Sequence, residues 1–287
     1  MSAIETWGEM VRVEHAQSDR MRGERPADHW SRDAPSFKAN PHRQGDPVVE
    51  NLRSRLVPGE TLLDVGAGGG RLALPLALTC SSVTAVEPSP SMCAVLRETA
   101  REHDIQNVSI VEAGWPEAPV EPADVTLCSH VVYVVEDIEP FVRKLDSHAR
   151  RLALAVVFQF PPQSQMYALW EQVHGEQRHA LPSLPQFVPV LDELGIRPEI
   201  TELDAQPVMG FGSYEDARDA IARRIYVHPD TDAMSRLDRA LDQSLTDAMS
   251  RLDRALDQSL HEHDGVWRID GAQPVRPCIV SWQPTSP

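Results

Sequence analysis

Five short apolar runs separated by helix-length segments leave this chain very few architectures. TLLDV (61–65), VTAVE (83–87), VSIVE (108–112), DVTLC (124–128) and LALAVVF (152–158) are almost continuously apolar, the pattern of strands covered on both faces. Helical periodicity fills 70–79, 90–103 and 138–149 between them. Repeats of strand, helix and strand join parallel neighbours through right-handed crossovers, so the pattern predicts an α/β fold with a doubly wound, mostly parallel sheet and helices on both faces. A helix near 186–194, a sixth strand at 198–204 and a last one at 275–282 bring the sheet to seven strands.

Around this core the chain divides into unequal parts. Residues 1–45 read as an N-terminal flap, with a first helix from Ile4 to about Met21 and then Pro26, Pro35 and Pro41 interrupting any long element. Asp46-Pro47 opens a core that runs over 46–205. Residues 206–264 read as a helical insertion, and 265–287 return to the sheet as its last strand. The insertion holds TDAMSRLDRALDQSL at 231–245, repeated identically at 246–260. Met234, Leu237, Leu241 and Leu245 mark an amphipathic stripe, as do their second-copy counterparts Met249, Leu252, Leu256 and Leu260. Fifteen residues at about 100° each overshoot four turns by about 60°, so the two stripes diverge. One copy is expected to pack and the other to extend beyond it, with a surface for a homodimer.

The first run leads directly into Asp64-Val65-Gly66-Ala67-Gly68-Gly69-Gly70, a strand, a glycine-rich turn and a helix start. This stretch resembles the DxGxGxG motif of class I S-adenosylmethionine-dependent methyltransferases of the small-molecule type, with Asp64, Gly66, Gly68 and Gly70 at the defining positions. The resemblance covers roughly 45–160 and implies a Rossmann-like fold. It also implies S-adenosylmethionine as cofactor, S-adenosylhomocysteine as product, and Gly66, Ala67, Gly68 and Gly70 as backbone contacts. Glu87, ending the second run before Pro88-Ser89-Pro90-Ser91-Met92, falls where the family binds the ribose hydroxyls, with Pro88 and Met92 beside the nucleoside. Trp115 falls at the adenine pocket, where many relatives carry an aspartate; an indole there could stack on the purine. The nearest competitor is a nicotinamide-dependent oxidoreductase turn, GxGxxG, whose third glycine falls here on Arg71. A non-catalytic cofactor-binding interaction protein is the third reading.

After the fourth run come Ser129, His130 and Tyr133, near the transferable methyl if the ligand crevice lies at the carboxyl ends of the strands. Ser129 is a candidate cofactor contact. His130 is the candidate base and Tyr133 its partner, and a small-molecule acceptor is expected. Trp30 and Phe37 of the flap, then Met166, Tyr167, Trp170, His174 and His179, then Phe211, Tyr214, Arg223, Arg224, Tyr226 and His228 are candidates for recognising it.

Charge and cysteines narrow the partners. With 43 acidic against 27 basic residues, the net charge of −16 repels phosphate backbones, so no nucleic-acid partner is expected. No apolar stretch approaches the roughly 20 residues that cross a bilayer, so neither a membrane nor secretion is expected. Cys80, Cys93, Cys128 and Cys278 have no metal-ligand spacing, which predicts no metal and suits a reducing cytoplasm.

Overall fold

A computed structural model of the chain describes residues 1–22, 27–227, 239–272 and 274–285, and for 239–248 the backbone path alone. Helix α1 (Ala3–Arg22) precedes the core. At α2 (Pro47–Arg55), Asp46 Oδ1 accepts from the Val48 and Val49 N–H groups at 3.0 and 3.1 Å, and Pro47 fills the first turn, where no donor is needed. The alternation follows as β1 (Thr61–Val65), α3 (Ala73–Ala77), β2 (Ser82–Val86), α4 (Pro90–Glu102), β3 (Val108–Val111), β4 (Ala123–Ser129), α5 (Ile138–Ser147) and β5 (Ala149–Phe158). Then come α6 (Tyr167–His174), α7 (Leu184–Glu193), β6 (Glu199–Glu202), β7 (Gly210–Phe211), α8 (Tyr214–Arg224), α9 (Arg239–Ser259), β8 (Leu260–His263), β9 (Val266–Ile269) and β10 (Pro277–Trp282).

The main sheet has seven strands in the order β3-β2-β1-β4-β5-β10-β6. Only β10 breaks the parallel arrangement, pairing antiparallel with both β5 and β6. Side chains alternate between two buried faces with the period of two that a pleated strand imposes. Leu63 and Val65 of β1, Ala153, Ala155 and Val157 of β5, and Val280 of β10 join Trp7 and Val11 of α1, Phe141 of α5 and Phe187 of α7 on one face. Leu62, Leu127, Leu154, Val156 and Ile279 join Leu52 of α2, Leu76 of α3 and Leu96 of α4 on the other. Truncating one such leucine to alanine would cost roughly 2–5 kcal/mol. Strand order reverses between β1 and β4, which opens a crevice at their carboxyl ends.

A third apolar cluster lies outside the sheet. Leu169 and Trp170 of α6, Ala217 and Ile221 of α8, and Leu252, Ala255 and Leu256 of α9 pack together with Ile269 of β9. The stretch read as purely helical also carries a three-stranded sheet, β7-β9-β8, and β9 lies inside the segment assigned to the last core strand. The local cause is Asp264-Gly265: both residues have positive φ, 53° and 74°, and join His263 to its partner Val266 in a two-residue hairpin. Helix α9 crosses the junction between the two identical copies without a break, and the second copy supplies the residues packed in the cluster. Residues 231–238 of the first copy lie outside the described residues, as do the side chains of 239–245.

Candidate active site

The turn after β1 is pinned to the end of β2, since the Gly66 and Ala67 N–H groups both donate to Val86 O at 2.8 and 3.1 Å. Gly66 has φ +73°, and a Cβ there would lie 2.3 Å from Val131 Cγ2, so no other residue fits. Gly68, at φ +56°, is a different case: no heavy atom lies within 4 Å of its Cβ direction, so the backbone faces open space. Its N–H donates to Glu87 Oε2 at 2.8 Å. Arg71, where a dinucleotide turn needs glycine, instead reaches Asp46 Oδ2 at 3.1 Å.

Two buried carboxylates face this turn. Glu87, 6% exposed, also accepts from the Ser89 N–H at 2.9 Å, and burial raises its pKa against the pull of these two amides. Asp64 is 2% exposed and no hydrogen bond to its carboxylate is found among the described residues; burial first, then the charge of Glu87, pushes it up to about 7. An unpartnered buried carboxyl beside an open glycine backbone fits a ligand with a cationic group, and Glu87 keeps lone pairs for hydroxyl donors. These residues therefore suit a nucleoside that carries an ammonium.

The N-terminal flap closes over the same place. Asp28 Oδ1 accepts from Ser89 Oγ at 2.8 Å and Oδ2 from the Ser91 N–H at 3.0 Å. The bonds from Ser91 and Ser89 hold its pKa down to about 2. Met92 is buried against Ala34 and Val95, while Pro88 is exposed. Asp28 had no local signal in the sequence: it lies in a polar stretch and acquires its role through contacts about sixty residues away.

Across the crevice, Ser129 ends β4 opposite Val156 of β5. His130 follows with φ +58°, a conformation that bulky residues adopt only when their surroundings impose it. Its ring stacks on Phe158 at 4.1 Å, and Nδ1 lies 3.0 Å from the Tyr133 hydroxyl. Tyr133 Oη accepts from the Phe158 N–H at 2.6 Å; where it donates its own proton to His130 Nδ1, the neutral imidazole carries hydrogen on Nε2. Burial and the Arg71 charge hold the imidazole down to about 3, and burial pushes the Tyr133 phenol up.

Trp115 is half-buried between the turn before β4 and α5. Its indole N–H donates to Phe141 O at 3.1 Å, and the Lys144 ammonium sits 4.4 Å from the ring centroid. These contacts fix the indole against α5. Among the acceptor candidates, Trp30 and Phe37 meet edge to face on the flap, and Phe37 closes on Gly69. Tyr167, Trp170, His174 and Tyr226 gather at α6 and the end of α8, where His174 Nε2 lies 2.7 Å from Ile225 O. His228 lies outside the described residues.

Residues 63–155 match a family model described as a methyltransferase domain. Among characterised relatives, a ubiquinone biosynthesis O-methyltransferase of Rickettsia felis is 26% identical over 146 residues, covering 49% of this chain and 59% of that one. One of Methylobacterium nodulans is 37% identical over 90 residues, 29% of this chain and 34% of that one. The alignments thus span less than two thirds of either relative. Two solved structures share the fold at 15% identity: YcgJ of Bacillus subtilis (TM-score 0.50, 82% of this chain, 95% of that one) and a Bacillus halodurans protein described as a candidate methyltransferase (0.51, 83% and 99%). Residues 63–155 of this chain thus match a methyltransferase domain, set in the fold that both Bacillus proteins share.

Proposed function

We propose that the protein moves the methyl group of S-adenosylmethionine to an oxygen of a small-molecule acceptor and releases S-adenosylhomocysteine. The observation that carries this reading is the unpartnered, buried Asp64 beside Glu87 and the open backbone of Gly68. Asp64 holds the ammonium, Glu87 the ribose hydroxyls, and Gly66, Ala67, Gly68 and Gly70 line the turn, with Met92, Pro88 and Ser129 around it. Bound there, the donor supplies an electrophilic methyl on a sulfonium. The chain's own residues align the acceptor and exclude water, which can be worth effective molarities of about 10⁵–10⁸ M.

His130 serves in this reading as a neutral hydrogen-bond donor. Its Nδ1 is occupied by Tyr133, its Nε2 carries hydrogen, and a pKa near 3 makes it a weak base. The Nε2–H orients an acceptor oxygen whose proton has left to solvent. Oxygen is favoured over nitrogen by the relatives, which are O-methyltransferases. Four buried free cysteines suit a cytoplasmic setting, and a homodimer through the helical insertion belongs to the same reading. The nicotinamide reading finds no support in the domain match. Incubation with methyl-labelled S-adenosylmethionine and parallel sets of phenols, alcohols and amines tests the proposal. Label on hydroxyl acceptors is expected; label on amines alone would refute oxygen as the accepting atom.

A further inference from the structure

Helices α1 and α6 and the end of α8 meet in a polar cluster that the donor site does not use. Arg178 and Glu14 form an ion pair there, with side chains only 4% and 5% exposed. The Arg178 guanidinium lies 4.1 Å from the Trp170 ring centroid and that of Arg22 lies 4.6 Å from Tyr226, while Trp170 and Tyr226 meet edge to face at 6.0 Å. Three buried side-chain atoms lack a hydrogen-bond partner among the described residues: Arg22 Nε, the Tyr167 hydroxyl and Trp170 Nε1. All three can donate, and all belong to this cluster; Tyr167 sits one turn from Trp170 on α6, within electrostatic reach of Arg178 and Glu14. Buried donors are ordinarily satisfied, so three together mark a place where acceptor atoms belong.

The backbone adds an independent sign. Tyr226 occupies the position after the α8 cap with φ +60°, held by Tyr226 N–H to Arg223 O at 3.3 Å and Val227 N–H to Ala222 O at 2.8 Å. Glycine is the usual residue at this point of such a helix end. An aromatic ring is retained there in a strained conformation, where it stacks under Arg22 and its hydroxyl oxygen accepts from Arg22 Nη2 at 2.5 Å. Arg178 is paired with the buried Glu14, whereas no ion pair of Arg22 is found among the described residues.

We infer that this cluster binds an oxyanion, carboxylate or phosphate, and that this group belongs to the methyl acceptor. The oxyanion site stands on the cluster alone, whereas its assignment to the acceptor rests on the methyltransferase reading. Charged oxygens match the three donors and the guanidinium of Arg22.

Fluorine NMR titration of the full chain with 4-fluorobenzoate, 4-fluorophenyl phosphate and neutral 4-fluorobenzamide, with and without S-adenosylhomocysteine, tests this. At least one anion should bind about tenfold tighter than the amide, and the better anion names the group. Tyr167→Phe should weaken that anion by about threefold to tenfold and leave S-adenosylhomocysteine affinity unchanged. Tyr226→Phe, which keeps the ring and its backbone conformation, should leave the anion affinity within about threefold. The bound anion should compete with the acceptor of the transfer reaction and not with the donor. Equal binding of the amide, no binding of any probe, or undiminished binding by Tyr167→Phe would overturn the site. Anion binding without competition would overturn its assignment to the acceptor, and anion binding in a protein that ignores S-adenosylhomocysteine would overturn the methyltransferase reading alone.

Discussion

Asp64 near the end of β1 and Glu87 just beyond β2 are buried carboxylates whose charges oppose each other, and this opposition is part of what lifts Asp64 to about 7. An ordinary aspartate has a value of 3.8, so the raised folded value stabilises the free protein at acid pH, and the benefit is lost as pH rises through about 7. A cationic ligand reverses the sign because it favours the ionised form. The affinity for S-adenosylhomocysteine is expected to increase between pH 6 and 8, and Asp64→Asn to flatten that dependence. Calorimetric titrations across this range check it, and an unchanged slope in the variant would remove Asp64 from the ligand's ammonium.

Glu87 closes the turn as well as facing the ligand, because it accepts from both the Gly68 and Ser89 N–H groups. Glu87→Ala leaves two amides unpaired and should lower both melting temperature and donor affinity, by about 1.5–3 kcal/mol for each charge-assisted bond lost. Glu87→Gln keeps one acceptor oxygen and should fall between. Thermal melts with parallel titrations give both values; wild-type affinity in Glu87→Ala would contradict its place in the site.

Tyr133→Phe removes the hydroxyl shared by Phe158 N–H and His130 Nδ1, which frees the imidazole to change tautomer. Turnover should fall while donor affinity holds, at a stability cost of about 1–3 kcal/mol for the orphaned amide. With His130 held near 3, the kcat profile of the wild type should show no histidine ionisation near 6.5. Such a limb, abolished by His130→Gln, would restore His130 as the base.

Deleting 231–245 or 246–260 yields one and the same sequence, because the copies are identical. The remaining copy carries the leucines that Leu252, Leu256 and Leu260 contribute to the third cluster. Donor affinity should therefore stay within a few-fold, and any self-association should weaken as an apolar stripe disappears. A shortened chain with native circular dichroism but no donor binding would show that the helix belongs to the donor site.

The alternation of apolar runs made the seven-stranded sheet legible because each buried strand announces itself locally: β1 falls on 61–65, and Asp46-Pro47 caps α2 as its chemistry requires. The hairpin at Asp264-Gly265 carried an equally local signal, but the amphipathic repeat before it drew the whole stretch toward helix. Trp115 and Asp28 were beyond local reach. Whether an indole stacks on a ligand or on Lys144, and whether a flap aspartate reaches Ser89 and Ser91, is decided by elements distant in sequence.

Isothermal titration of the purified full chain with S-adenosylhomocysteine, set beside the same titration with a reduced nicotinamide dinucleotide, tests the central claim most directly. One molecule of S-adenosylhomocysteine per chain, lost or strongly weakened in Glu87→Ala, with no heat from the dinucleotide, is the expected result. Binding of the dinucleotide with no affinity for S-adenosylhomocysteine would contradict the assignment of the glycine turn, Asp64 and Glu87 to a methyl donor.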